Sequence, residues 1–229
     1  MKLEFVTPTR LIASVTQTAY VLALFMEFAT DQERTASDLN KKVLANDGHL
    51  CKGFVGTTYL CRVLSDNGYN DTAWNLVLNR EYPGWLYEVK MGATTIWERW
   101  NSIKPDGTLG EVGMNSYNHY AYGAVVDWRY RNAAGIRPRE DSAGFARVCF
   151  APQPSHRLEW IKASYDSAFG VYRCEWRILE DKLHFVFEVP FGGEAELVLP
   201  DAPEQIVLNG KLTAYTDRMA LEKGVYEIE

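Results

Sequence analysis

"AVVDWRYRNAAGIRPREDSAGFARVCF", residues 124–150, is where the pattern of this chain changes. Up to Ala134 the apolar residues recur at helical spacing, and after Pro138 they alternate over short runs. Gly135 and Pro138 are helix-stop residues, and "GIRPREDSAG" (135–144) is a charged connector bearing Pro and Gly. The change of period predicts two domains, a helical one over 1–136 and a β one over 137–229.

Upstream, "PTRLIASVTQTAYVLALFMEFA" carries Leu11, Val15, Ala19, Leu22, Phe25 and Met26 at helical spacing, with Thr7 as cap and Pro8 at the first helical position. Asp31 caps a second helix that stops at Gly48. "FVGTTYLCRVLSDNG" is a third, ending at Gly68, and "YNDTAWNLVLNR" a fourth, ending before Pro83. Thr94 or Thr95 caps a short segment holding Glu98, and "NSYNHYAYGAVVDWRYRNAAG" (115–135) is the last helix. Short loops between helices predict antiparallel neighbours, a repeated helical-hairpin layer as in an α-toroid or solenoid. Three hairpins make about half of a closed toroid, which leaves an apolar flank in need of cover.

Downstream, "FARVCFAPQP", "LEWIKASY", "GVYRCEWRIL", "KLHFVFEV", "EAELVLP", "QIVLNG" and "GVYEIE" alternate and are separated by turn signals. Six or seven short strands predict a small antiparallel β-sandwich, with His156 and His184 as structural residues on strands.

The composition excludes several classes. A net charge of −6 argues against a nucleic-acid partner. The longest apolar run, "AYVLALFMEFA" (19–29), is interrupted by Glu27 and too short to span a membrane. No basic stretch followed by an apolar one opens the chain, which predicts no signal peptide and, if the chain is complete, a cytoplasmic protein. Cys51, Cys61, Cys149 and Cys174 form no CxxC pair and do not cluster with histidines, so no zinc site and no disulfide framework is predicted. No Walker loop, HExxH, G-x-S-x-G or dinucleotide glycine fingerprint is present.

Four stretches bear groups that could do chemistry. "GATTIWERW" (92–100) sets Glu98 between Trp97 and Trp100. Spacing alone favours a packing role: a helix-start carboxylate on the dipole, flanked by core indoles. The chemical alternative is a carboxylate acting on a sugar whose apolar faces pack on the indoles. "MNSYNHYAYG" (114–123) crowds Asn115, Asn118, His119 and Tyr122 into one helix start, a set able to bond several hydroxyls. "YPGWLYEVKMG" (82–92) reads as a short hairpin or as a cleft wall with Trp85 as platform. "GHLCKGFVGTTY" (48–59) reads as a tight turn with close helix packing.

The run from "GHLCKGFVGTTY" through "GATTIWERWNSI", then "MNSYNHYAYGAVVDWRYRNAAGI" and "LEWIKASYDSAFGVYRCEWR", resembles the C-terminal part of bacterial α-L-rhamnosidases, glycoside hydrolase family 78. The resemblance covers nearly the whole chain. It implies the C-terminal half of an (α/α)6 barrel followed by a β-sandwich, and cleavage of terminal α-L-rhamnosides with inversion and no cofactor. It makes Glu98 the general base and His119 a sugar contact, with Trp97 and Trp85 as cleft-wall residues. The family's general acid sits in an earlier Asp/Arg/Glu-rich motif that these residues do not contain; "DQERTASD" (31–38) reads as an outer-helix start, and the resemblance gives Glu88 and Glu111 no acid role. The chain alone is therefore expected to be inactive or nearly so. A rhamnose-containing glycoside is the expected ligand, and the missing N-terminal half of the barrel or a second copy the expected partner. The alternative is a non-catalytic carbohydrate-binding or interaction module; a blander one is a remnant stable only as an oligomer.

Overall fold

The computed structural model describes residues 5–7, 12–50, 53–111 and 113–229. It divides into two compact units, Met1–Val126 and Asp127–Glu229. The expected positions of Pro8, Leu11 and Cys51 lie outside the described residues.

The first unit is helical. Helices α1 (Gln17–Phe25) and α2 (Gln32–Leu44) form one pair, and α3 (Phe54–Asp66) and α4 (Asn70–Leu78) a second. Helix α3 packs on α1 and on α4. Asp31 caps α2 as expected, its Oδ1 accepting the Arg34 N–H at 3.0 Å. Gly48 and Gly68 follow α2 and α3 with φ of 68° and 85°. At Gly56 the helices approach closely: a Cβ there would stand 2.6 Å from Thr18 Oγ1 of α1. The tight-packing reading of "GHLCKGFVGTTY" accounts for that glycine.

Helix α1 starts later than its apolar spacing predicts. Its cap is Thr16, whose side chain accepts the Ala19 N–H at 3.3 Å. Among the described residues before it, Val6 and Ile12 form an antiparallel bridge, and the Ala13 N–H donates to Phe5 O at 2.9 Å. Val15, expected on the buried stripe, is 84% exposed, while Tyr20, Val21, Ala23 and Leu24 are buried. The expected stripe was a row on an almost wholly apolar helix, where spacing cannot choose the face. "YPGWLYEVKMG" also departs from the hairpin reading, forming a short helix α5 (Trp85–Lys90).

The expected helix 115–135 is helical only from Ala121. A 3-10 turn (Ala121–Ala124) leads into α6 (Val125–Trp128) and a π turn (Arg129–Ala134), closed by Gly135 at φ 83°. Before it, side chains bind the local backbone: Ser116 Oγ accepts the Asn118 N–H and His119 Nδ1 the Ala121 N–H. Such bonds compete with helix.

The second unit carries two sheets. One has the order β1-β2-β6-β9: Ile136–Pro138, Arg147–Phe150, Glu194–Leu197 and Met219–Leu221. The other has the order β3-β4-β5-β10-β7-β8: Trp160–Ser167, Gly170–Leu179, Lys182–Val189, Gly224–Ile228, Gln205–Leu208 and Lys211–Ala214. All pairings are antiparallel except β2 with β6. Phe150 of the small sheet meets Phe187 and Tyr172 of the large one at 5.0 and 6.2 Å between ring centroids, the sandwich core. Ten strands replace the expected six or seven, because β1, β8 and β9 have only three or four residues and show no alternation. His156, expected on a strand, lies exposed in a turn, while His184 sits on β5 with Nδ1 3.4 Å from Glu229.

Candidate active site

Glu98 is not in a helix, so neither Thr94 nor Thr95 caps one and no helix dipole acts on it. Residues 96–98 instead run beside 116–119. The Glu98 N–H donates to Ser116 O at 2.9 Å, and the His119 N–H to Ile96 O at 2.8 Å. The Thr95 hydroxyl donates to Tyr117 O. This pairing brings the two sequence-predicted site residues, Glu98 and His119, onto adjoining segments although 20 residues lie between them. Both are half-buried.

The Glu98 side chain is held by the same partner as its backbone. Its Oε2 accepts the Ser116 N–H at 2.7 Å, a charge-assisted bond that leaves Oε1 available. Arg99 does not neutralise it; its guanidinium lies 3.3 Å from Glu111 instead. His119 is fixed by Phe54 and Tyr120, stacked on it at 5.1 and 5.4 Å. Because Nδ1 accepts the Ala121 N–H at 3.3 Å, the neutral ring carries its proton on Nε2, as a donor.

The indoles are placed differently from the cleft-wall expectation. Trp85 and Trp97 are 4% and 3% exposed. Trp85 Nε1 donates to Tyr122 O at 2.9 Å, and its ring meets Trp100 edge-on at 5.4 Å. Trp100 in turn stacks on Tyr122 at 3.8 Å. Rings so enclosed have no face left for a sugar, and an added partner could only bury them further. Tyr122 is equally buried and does not share a helical face with His119, which precedes the turn. Asn115 faces inward to Ser102, with Oδ1 2.5 Å from its hydroxyl, and Asn118 is exposed.

Glu88, to which the sequence reading gave no acid role, lies buried beneath the site, a placement that reading did not foresee. Glu88 on α5 is 2% exposed; its Oε2 accepts the Trp97 N–H at 3.3 Å and its Oε1 has no partner. Burial pushes its carboxyl up to about 7, the Trp97 bond opposing only in part. The signal that could have found it is its spacing: Trp85 and Glu88 lie three apart on one helix and share a face. Among the described residues no group of three or more His, Cys, Asp or Glu is placed to hold a metal. Cys149 and Cys174 are free thiols. No helix among those residues is long and apolar enough to cross a membrane.

Comparison with known proteins gives this arrangement a context. The family model for the bacterial α-L-rhamnosidase six-hairpin glycosidase domain matches residues 1–133, and that for the bacterial α-L-rhamnosidase C-terminal domain matches 135–212. An α-L-rhamnosidase of Streptomyces avermitilis is 40% identical over 194 residues, covering 83% of this chain and 19% of its own length. One from Alteromonas sp. is 34% identical over 218 residues, covering 93% and 23%. The crystal structure of the Streptomyces avermitilis α-L-rhamnosidase complexed with L-rhamnose superposes with a TM-score of 0.88 at 34% identity, over 98% of this chain and 22% of that one. The Aspergillus terreus α-L-rhamnosidase gives 0.85 at 29% identity, over 98% and 25%. The chain thus spans about a fifth of the length of the curated relatives it matches. It belongs to the bacterial α-L-rhamnosidase family, whose six-hairpin glycosidase and C-terminal domain models it matches in succession.

Proposed function

We propose that this chain supplies the base side of an inverting α-L-rhamnosidase site and does not hydrolyse rhamnosides by itself. Residues 1–136 are the partial barrel that carries the site and residues 137–229 the sandwich. In an inverting reaction one carboxylate deprotonates a water while a carboxylic acid, roughly 6.5–9.5 Å away, protonates the leaving oxygen. Glu98 is the base: it is half-exposed, anchored through one oxygen, and has the other free for water. His119 donates from Nε2 to a hydroxyl of the sugar. Trp85 and Trp97 serve from below, keeping the two segments in place.

Glu88 has the raised pKa expected of a general acid, but a side chain 2% exposed cannot reach a glycosidic oxygen. Glu111 is exposed and paired with Arg99. Losing the acid removes a factor of roughly 10²–10⁴ in rate. The missing acid then comes from the remainder of the barrel. The observation that supports the reading is the pairing of 96–98 with 116–119, in which Glu98 and His119 belong to adjoining segments.

The test is turnover of p-nitrophenyl α-L-rhamnoside by the purified chain. Background hydrolysis is expected, unchanged by Glu98→Gln. Measurable turnover lost in Glu98→Gln would overturn the proposed inactivity and establish Glu98 as catalytic at once.

A further inference from the structure

Among the described residues of the first unit, Glu88 is the one charged side chain that is buried: a carboxyl 2% exposed, with Oε1 lacking any hydrogen-bond partner. An apolar residue of similar volume would fill the place without that desolvation. What the carboxylate adds is one bond, from Oε2 to the Trp97 N–H at 3.3 Å. Trp97 is the residue before Glu98. The backbone there is gripped on one side by Glu88 from below and on the other by Ser116, which takes the Glu98 N–H and supplies the N–H that Glu98 Oε2 accepts. Trp97 itself is 3% exposed, so its amide has no water to turn to.

We infer that Glu88 is a positioning residue for Glu98: by holding the Trp97 amide it fixes the stretch of backbone from which the Glu98 carboxylate reaches Ser116. The alignment is local. Trp97 Cα is the single pivot between the bond to Glu88 and the peptide that Glu98 offers to Ser116. Its value to catalysis rests on the reading of Glu98 as the base, whereas the coupling itself does not.

The charge state of Glu88 gives a probe for the coupling. With the carboxyl pushed up to about 7 by burial, it changes charge in an accessible range. The phenol that feels it, Tyr122, is itself pushed up to about 12, chiefly by burial, and stays protonated throughout. Tyr82, which acts on Tyr122, is likewise a phenol. No basic side chain among the described residues contributes to the shift at Glu88.

The experiment is amide NMR on the labelled 229-residue chain without sugar, in the wild type, Glu88→Gln and Glu88→Met. In the wild type the Trp97, Glu98 and Ser116 amide shifts should titrate together with a midpoint near 7. Glu88→Gln keeps an acceptor for Trp97 and should abolish the titration while preserving slow exchange. Glu88→Met should speed exchange at Trp97 and Ser116 about tenfold, one hydrogen bond's worth, with the Leu60 and Leu64 amides of α3 unchanged. A Ser116 amide indifferent to both pH and Glu88→Met would overturn the inference. So would an acceleration shared equally by α3, which is a merely structural effect. If Glu88→Met does not fold, the wild-type and Glu88→Gln titrations decide alone. The p-nitrophenyl α-L-rhamnoside assay separates the two readings: amide coupling together with turnover above background that survives Glu98→Gln would sink the functional reading only, and an L-rhamnose response at His119 without amide coupling the positioning only.

Discussion

Glu98 and Ser116 hold each other twice, the Glu98 N–H donating to Ser116 O at 2.9 Å and the Ser116 N–H donating to Glu98 Oε2 at 2.7 Å. Both bonds use Ser116 backbone atoms, so the side chain at 116 is nearly irrelevant to the pair. Ser116→Ala should leave the amide shifts of Ile96 to Glu98 in place, losing only the Oγ contacts with Asn118. Ser116→Pro removes the donor. It should displace those shifts and cost about 1–2 kcal/mol of stability in urea unfolding, at the low end for a bond to a charged group because Glu98 is half-exposed.

The buried carboxyl makes stability depend on pH with a definite sign. Glu88 has a folded pKa of about 7 against 4.5 for the free side chain, so the folded state binds its proton more tightly. Its favourable share is complete below about 4.5 and is lost as pH rises through about 7, leaving the wild type weaker in the alkaline range. Compared with Glu88→Gln, the wild type should lose about 2–3 kcal/mol between pH 5 and pH 8. Urea unfolding of both proteins at the two pH values checks this; parallel curves would contradict it.

These two residues also mark what the sequence makes legible. Local chemistry is plain in it: Asp31 caps α2, Gly48 and Gly68 end helices, and the period changes at Gly135. Relationships across the chain are not. Nothing in the spacing of "GATTIWERW" reveals that Ser116 and His119 of a later stretch pair with it, so a dipole-favoured helix start was the natural expectation. The resemblance of motifs could point to Glu98 and His119, but not to the bonds that bring them together. The burial of Trp85 and Trp97 was not legible for a related reason. An indole suits a sugar face and a core equally well, and only packing tells them apart.

Trp85 separates those two roles in solution. Its Nε1 is bonded to Tyr122 O and its ring lies against Trp100, contacts that a structural role predicts to matter for stability. Trp85→Phe leaves a buried carbonyl without its donor and a gap beside Trp100, a loss of about 2–4 kcal/mol. The thermal midpoint should fall accordingly. At a temperature where the variant is still folded, any L-rhamnose-induced shift at His119 should match that of the wild type. Lost sugar response with unchanged stability would instead restore Trp85 to the cleft wall.

The last prediction sets two glycines of the second unit against each other. Gly135 and Gly210 have nearly the same left-handed backbone, with φ of 83° and 77°. Their surroundings differ. A Cβ on Gly135 would meet Pro152 N at 2.1 Å, Pro152 Cα at 2.4 Å and Ala151 C at 2.5 Å, all backbone, and the Ala151 N–H is bonded to Gly135 O at 2.8 Å. That chain cannot retreat without breaking the start of the β1–β2 pair. Around Gly210, at the tip of the β7–β8 hairpin beside Asn209, nothing lies within 4 Å. Gly210→Ala therefore pays only the conformational penalty, about 1 kcal/mol, and Gly210→Asn less, since asparagine tolerates that region. Gly135→Ala carries the same penalty plus the clash, and should destabilise the β unit by more than about 3 kcal/mol. Unfolding midpoints of the two alanine variants, measured side by side, test whether space or backbone angle decides; equal losses would mean that the angle alone does.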